Sequence, residues 1–172
     1  MRIVLRELQE QDLSARVSWM NDVRVNATLN IQLPVTIETT YNWFRRIREN
    51  SNRRDFAFVD DKGIVVAMGG FTDINEEKHD AELYIFVNPD MQGKGYGTEA
   101  MQLMCEYGFE QMNLVRIYLH TNSDNKYAIR LYERMGFSID ERKYQEVQVN
   151  GVLKKRLYYE LYCDGDSTCG KN

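Results

Sequence analysis

The sequence predicts a mixed α/β domain in which a central sheet of about seven strands is flanked by helices. Two observations predict this class. Short alternating or β-branched runs recur along the chain, and segments with apolar residues at helical spacing lie between them. With 172 residues, of which 43% are hydrophobic, the chain is long enough for one domain with a sizeable core. We place that domain at residues 1–163 and expect the polar segment 164–172 to be a flexible tail.

The first half of the chain predicts a strand, two helices and a hairpin. The Thr36 hydroxyl can cap the second helix, and Gly63 can supply the left-handed residue of the hairpin turn. Residues 21–33 show no clean period and are expected to form a helix with a loop. In order, the predicted elements are a strand at 2–7, helices at 12–20 and 38–48, and strands at 55–59 and 64–71.

The second half predicts alternating strands and helices before a final hairpin. Gly136 is expected to end the last helix, and Asn150-Gly151 is typical of a hairpin turn. The predicted elements are a strand at 80–87, a helix at 98–112, a strand at 114–120, a helix at 126–135, and strands at 137–147 and 153–162. The complete order is βααβββαβαββ, which describes one mixed α/β domain.

A glycine-rich turn between the strand at 80–87 and the next helix predicts an anion site. Its sequence is Gln92-Gly93-Lys94-Gly95-Tyr96-Gly97. The first N–H groups of a helix are unpaired and the helix dipole favours negative charge, while glycine lets a phosphate approach the backbone. Two other phosphate loops do not fit. The chain lacks Gly-x-x-x-x-Gly-Lys-Ser/Thr, and a dinucleotide fingerprint would need Gly or Ala where Thr98 stands.

The pattern that fits this turn is Gln/Arg-x-x-Gly-x-Gly/Ala, which Gln92, Gly95 and Gly97 match at every fixed position. A second motif follows at residues 125–137, with the pattern Asn-x-x-Ala-x-x-Leu-Tyr-x-x-x-Gly-Phe. Together the two motifs resemble the signature of the GNAT family of N-acetyltransferases, and the resemblance extends over about residues 2 to 162. It implies the acyl-CoA N-acyltransferase fold and acetyl-CoA as co-substrate.

The resemblance also implies which residues hold coenzyme A. Backbone N–H groups of the glycine turn would bind the pyrophosphate. The strand before it would pair with the pantetheine arm as an added strand does. The implied cofactor-binding residues are Ile85, Phe86, Val87, Gln92, Gly93, Lys94, Gly95, Tyr96, Gly97, Thr98 and Asn125.

Two residues are candidates for catalysis by direct attack of an amine on the thioester. Tyr132 of the second motif can give a proton to the departing thiolate, because a phenol is not ionised at neutral pH. Glu82, at the start of the strand that leads to the glycine turn, is the candidate base. Cys105 is expected to be a core residue of a helix, so an acyl-enzyme is not expected.

The acceptor is less well defined by the sequence. The segments Leu5-Arg6-Glu7-Leu8 and Trp19-Met20-Asn21-Asp22 resemble the subgroup that includes ribosomal-protein N-terminal acetyltransferases. We therefore favour a protein or peptide N-terminal amine. Spermidine or another polyamine, an aminoglycoside and an amino sugar remain alternative acceptors, and a non-catalytic CoA-binding module is the alternative to an enzyme.

The composition of the chain argues against several classes of binding partner. A net charge of −4 and a pI near 5.3 argue against a nucleic-acid binder. No apolar run reaches the length of a membrane span, and the N-terminus is charged at once, so no membrane partner is expected. Three cysteines without a CxxC pair suggest reduced thiols in the cytoplasm, and no metal site is expected. The last strands are compatible with a homodimer.

Overall fold

A computed structural model describes residues 3–149 and 151–163. Within these ranges, eight strands form one sheet in the order β1-β2-β3-β4-β5-β8-β6, with β7 paired to β8. The strands are β1 Val4–Glu7, β2 Arg54–Val59, β3 Val65–Asn75, β4 Asp80–Val87, β5 Arg116–Asn122, β6 Ser138–Ile139, β7 Gln145–Val149 and β8 Val152–Tyr162. The helices are α1 Leu13–Asn21, α2 Val23–Asn26, α3 Ile37–Ile47, α4 Tyr96–Glu106 and α5 Lys126–Arg134. The predicted fold class is confirmed.

The strands β4 and β5 are parallel and separate soon after they begin. They pair at Asp80↔Arg116, Ala81↔Ile117 and Glu82↔Tyr118, whereas β4 stays paired with β3 up to Val87. Beyond Glu82, the β5-facing edge of β4 therefore has no strand partner in the described part of the chain. This gap between the two strands is called the split below.

The sheet has a hydrophobic cluster on each face. Leu83 of β4 and Leu119 of β5 belong to the cluster that also contains α4 and α5 residues. Phe86 of β4 belongs to the other cluster, with α1 and α3 residues. Because side chains alternate along a strand, Glu82 and His120 lie on the α1/α3 face, opposite α4 and α5.

Local signals explain where the helices begin and end. Thr36 caps α3 as predicted, with its side chain accepting a hydrogen bond from Thr39 N at 3.1 Å. Gly136 follows α5 with φ +86°, in agreement with its predicted role. The predicted helix 98–112 is shorter in the structure, because α4 gives way to a π-helical turn at Tyr107–Gln111. Gly108 in that turn packs closely on the sheet, since a Cβ there would lie 2.9 Å from Phe71 Cζ.

Two expectations differ from the structure. The predicted strand 137–147 is broken into β6 and β7 by a 3₁₀ turn at Glu141–Lys143, because the Asp140 side chain accepts a hydrogen bond from Arg142 N and starts that turn. The sheet thus has eight described strands instead of about seven. The expectation of reduced thiols is wrong for Cys163, which is disulfide-bonded, whereas Cys105 is a buried free thiol. The tail predicted at 164–172 lies outside the described residues.

Neither a membrane span nor a metal cluster occurs among residues 3–149 and 151–163. No helix there combines the length and apolar character needed to cross a bilayer. No group of three or more His, Cys, Asp or Glu side chains there could hold a metal ion.

Candidate active site

The split between β4 and β5 opens into a cleft of about 330 Å³. One wall is the free edge of β4, another is the turn before α4, and a third is α5. The structure brings together eight of the residues predicted from sequence in this cleft: Ile85, Phe86, Val87, Gln92, Gly93, Gly97, Asn125 and Tyr132. The cleft is therefore built from both sequence motifs, although they lie some thirty residues apart.

The glycine turn has the backbone that its sequence suggests. Gly93 and Gly95 have φ +75° and +88°, in the left-handed region that favours glycine. Gly95 is the N-cap of α4, and its carbonyl accepts hydrogen bonds from Thr98 N at 3.1 Å and Glu99 N at 3.2 Å. The N–H groups of Tyr96 and Gly97 precede these bonds and have no acceptor within the helix. Unpaired N–H groups at a helix N-terminus can bind an anion, so this end of the cleft is a candidate anion site.

Three predicted cofactor residues have side chains that are engaged elsewhere. Lys94 Nζ donates to the carbonyl of Asp90 at 3.1 Å, so its charge is held against the turn. The Tyr96 side chain is buried in the α4/α5 cluster and can serve a ligand only through its backbone. Thr98 Oγ1 accepts a hydrogen bond from Arg134 Nη2 at 3.3 Å.

Two arginines near the cleft were missed by sequence reasoning. Arg134 brings a guanidinium to the start of α4 through its bond to Thr98. Arg24 of α2 lines the cleft and bonds to Asp22 at 2.7 Å, Asp90 at 3.0 Å and the Pro89 carbonyl at 3.2 Å. Arg134 adds positive charge near the start of α4, whereas the charge of Arg24 is paired with the carboxylates of Asp22 and Asp90. The position of Arg134 two residues before Gly136 of the second motif was the available signal, whereas Arg24 lay in the segment without a clean period.

Tyr132 lies on the α5 wall with its ring fixed in the core. The ring contacts Phe137 and Tyr159 at centroid distances of 5.9 and 6.1 Å, and the residue is 9% exposed. Within the described residues, its hydroxyl has no hydrogen-bond partner. Burial raises the pKa of Tyr132 to about 12. The phenol therefore stays protonated at neutral pH and can donate a proton into the cleft.

Glu82 lies at the mouth of the split and is bound to a histidine. Its Oε1 is 2.7 Å from Nδ1 of His120, which lies on β5 two residues beyond the last pairing with β4. Tyr132 approaches the split from the α4/α5 face, whereas Glu82 and His120 lie on the α1/α3 face. A proton donor and a proton acceptor can thus reach a thioester in the split from opposite sides.

An open bowl of about 440 Å³ adjoins Glu82 on the α1/α3 face. Tyr118 and Tyr158 are stacked in it with centroids 5.5 Å apart. Two cations of the bowl are paired with acids, because Arg116 bonds to Asp80 and Glu160 and Lys143 bonds to Asp140 and Glu160. The bowl is lined by Asp73, Glu82, Arg116, Tyr118, His120, Lys143, Gln145 and Tyr158.

The loop after α2 covers the neighbouring part of the same face. Asn30 Nδ2 donates to Asn122 Oδ1 at 3.2 Å, and Asn122 Nδ2 donates to the Thr28 carbonyl at 3.4 Å. Two buried atoms here have no partner in the described part of the chain: Asn30 Oδ1 and Arg156 Nε. Burial lowers the pKa of Arg156, while the nearby Glu82 carboxylate opposes that change. The segment 21–33, which shows no clean period in the sequence, thus contacts β5 next to the split through Thr28 and Asn30.

Proteins of similar sequence include acetyltransferases. Residues 2–138 match the model of an acetyltransferase domain of the GNAT type. The chain is 32% identical over 163 residues to the spermidine N(1)-acetyltransferase of Escherichia coli (strain K12), covering 90% of this chain and 83% of that protein. It is 23% identical over 138 residues to the acetyltransferase PseH of Campylobacter jejuni.

A solved structure has the same fold. The spermidine N-acetyltransferase from Vibrio cholerae, in complex with CoA and spermine, matches with a TM-score of 0.88 over 93% of this chain and 95% of that chain. The sequence identity is 23%, so this likeness describes the fold alone.

Proposed function

Because this chain belongs to the GNAT family of acetyltransferases, we propose that it moves the acetyl group of acetyl-CoA to a primary amine of a small aliphatic polyamine such as spermidine. N-acetyl transfer and the use of acetyl-CoA follow from the family. The acceptor is the proposed part. The comparisons favour the small-amine alternative over the protein N-terminal amine that the sequence pattern favoured.

One observation carries the choice of acceptor. Similarity to a spermidine N(1)-acetyltransferase extends over 90% of the chain at 32% identity. The acetyltransferase PseH, by comparison, is 23% identical and covers 80% of the chain. A polyamine is therefore a better-supported acceptor than the substrates of more distant relatives.

The chemistry of the bowl also supports a polyamine. Asp73 and Glu82 both line the bowl, and neither has a Lys or Arg within salt-bridge distance among the described residues. Asp73 is therefore open to an ammonium group, whereas one oxygen of Glu82 is held by His120 and the other remains for a ligand. The faces of Tyr118 and Tyr158 can attract a second ammonium by cation–π interaction. A flexible polyamine carries several ammonium groups, so it can contact the carboxylates with one of them and the tyrosine faces with another.

The geometry supports acetyl transfer by direct attack. The pantetheine arm would lie along the free edge of β4, with the pyrophosphate at the N-terminus of α4. The amine enters from the bowl and attacks the thioester carbonyl within the split. Tyr132 gives its proton to the departing sulfur, and Glu82 supplies the negative charge that favours removal of a proton from the ammonium.

A base is needed because the acceptor is charged. An alkylammonium with a pKa near 10.4 costs about 4–5 kcal/mol to deprotonate at pH 7. An α-amine with a pKa near 8 costs only about 1–1.4 kcal/mol. A polyamine acetyltransferase therefore depends on its base more strongly than an N-terminal acetyltransferase does.

A thiol-release assay across an amine panel tests the proposal. The panel contains spermidine, spermine, an aminoglycoside, an amino sugar and peptides with free N-termini, each with saturating acetyl-CoA. We expect spermidine or spermine to give a kcat/KM at least about 10-fold above any peptide. A peptide at the head of the ranking would overturn the proposed acceptor. Binding of acetyl-CoA without release on any amine would indicate a non-catalytic module.

A further inference from the structure

The His120 imidazole spans the mouth of the split. It lies diagonally across from Glu82, two residues beyond Tyr118 of the Glu82↔Tyr118 pair, and its Nδ1 is 2.7 Å from the carboxylate. The residues next to His120 in the sequence do not mark it as part of a site. Its partner lies 38 residues earlier, and only the parallel pairing of β4 and β5 brings the two together.

The ring is held in one orientation. Tyr158 and Tyr118 contact it edge to face, with centroids 5.3 and 6.3 Å away, and the side chain is 8% exposed. An ionised carboxylate only accepts hydrogen bonds, so Nδ1 must carry the proton of this bond. In the neutral ring, Nε2 then carries the lone pair.

Nε2 is open to the bowl. It has no hydrogen bond within residues 3–149 and 151–163. Three side-chain atoms in those ranges are buried without a partner, namely Arg16 Nη1, Asn30 Oδ1 and Arg156 Nε, and Nε2 of His120 is not one of them. His120 itself lines the bowl in which we place the acceptor. The titratable and charged groups that surround the ring are Glu82 on β4, Arg116 and Tyr118 on β5, Arg156, Tyr158 and Glu160 on β8, Asp73 on β3 and Lys143 after β6.

We propose that Nε2 of His120 takes the proton from the acceptor ammonium and that Glu82 is a positioning residue that acts through this ring. The inference rests on the proposed function and names the atom that receives the proton. An imidazole is ordinarily about two pKa units more basic than a carboxyl group, so proton transfer from an alkylammonium is about 100-fold more favourable to the imidazole. The Glu82 carboxylate stabilises the imidazolium that forms.

The protons balance over the reaction. The ammonium loses its first proton to Nε2, and the free amine attacks the thioester carbon to form a C–N bond. The C–S bond breaks as the tetrahedral intermediate collapses, and the second nitrogen proton leaves. Tyr132 protonates the thiolate and recovers that second proton. The imidazolium returns the first proton to water after the amide departs.

Kinetics of two variants test the assignment. With spermidine, we expect His120→Gln to lower kcat about 100- to 1,000-fold and to leave the KM for acetyl-CoA unchanged. We expect wild-type kcat/KM to level off once the imidazole is neutral. In His120→Gln it should keep rising with pH, because only the free amine then reacts. Glu82→Gln should lower kcat less and keep the plateau at a displaced pH.

A matched control and a rescue experiment separate catalysis from folding. His79→Asn removes the exposed histidine of the turn before β4, where φ is +50° and Asn is tolerated, and should leave kcat unchanged. Added imidazole should restore part of the activity of His120→Ala. If His120→Gln keeps its plateau and most of its kcat while Glu82→Gln loses both, Glu82 is the base and the inference is wrong.

An activity-independent measurement keeps this test separate from that of the acceptor. Nitrogen-15 NMR of the histidine ring should report the Nδ1-protonated tautomer in wild type, and Glu82→Gln should change it. The opposite tautomer in wild type would overturn the inference whatever the amine panel shows. Failure of every amine in the panel, with the expected tautomer intact, would instead contradict the proposed function.

Discussion

Replacing Tyr132 with Phe removes one hydroxyl from the cleft and leaves the aromatic ring in place. The ring contacts with Phe137 and Tyr159 do not involve the hydroxyl, so the packing of α5 on the sheet should persist. If the phenol protonates the thiolate, its loss should lower kcat about 100- to 10,000-fold. That loss corresponds to about 2.7–5.4 kcal/mol of transition-state stabilisation.

The same substitution should not destabilise the fold. The hydroxyl makes no hydrogen bond among the described residues and is not one of the buried atoms without a partner there, so its removal breaks no contact within the protein. Tyr132→Phe should therefore have an unfolding free energy equal to or above that of wild type. The assay pairs initial rates of thiol release with urea unfolding, and Tyr41→Phe on α3 serves as the control. A variant that retains more than about a tenth of wild-type kcat would refute the role as acid.

Three further predictions follow from the same geometry. Burial raises the pKa of Tyr84 and Tyr132 to about 12, whereas a tyrosine in the unfolded chain has a pKa of about 10. The free energy of unfolding should therefore be unaffected by these groups below pH 10. Between pH 10 and 12 it should fall by about 1.4 kcal/mol per pH unit per tyrosine, which urea unfolding at several pH values would measure. Gly95→Ala should cost about 1 kcal/mol and raise the KM for acetyl-CoA, whereas Gly63→Ala, with a similar φ of +78° in a hairpin turn, should cost as much and leave that KM unchanged. Raising the ionic strength from 0.05 to 0.5 M shortens the screening length about threefold and should raise the KM for spermidine more than that for a monoamine. An equal rise for both would argue against the Asp73 and Glu82 carboxylates as groups that attract the polyamine.

Local patterns predicted most of the elements. The strand β4 runs from Asp80 to Val87, as predicted, because its apolar run is bounded by turns on both sides. The cap of α3 and the glycine after α5 were readable for the same reason, since each depends on residues a few positions apart. The two motifs and the strand before the first of them also predicted eight residues that line the cleft.

Features that depend on distant contacts were not predictable. The split exists because β4 and β5 pair over three residues and then separate, which no run of sequence encodes locally. The Glu82–His120 bond depends on that pairing. The break between β6 and β7 was missed because an Asp140 cap overrode the alternation of its segment. The catalytic roles of Tyr132 and Glu82, the homodimer and the cytoplasmic location stay predictions.

A single-turnover experiment tests the central claim most directly. Enzyme in excess over acetyl-CoA carrying a labelled acetyl group is mixed with spermidine and a peptide at equal concentrations, and the labelled products are separated. We predict that the label leaves coenzyme A within one turnover and appears on a primary amine of spermidine. Label on the peptide N-terminus, or label that stays on coenzyme A while the complex persists, would contradict the account.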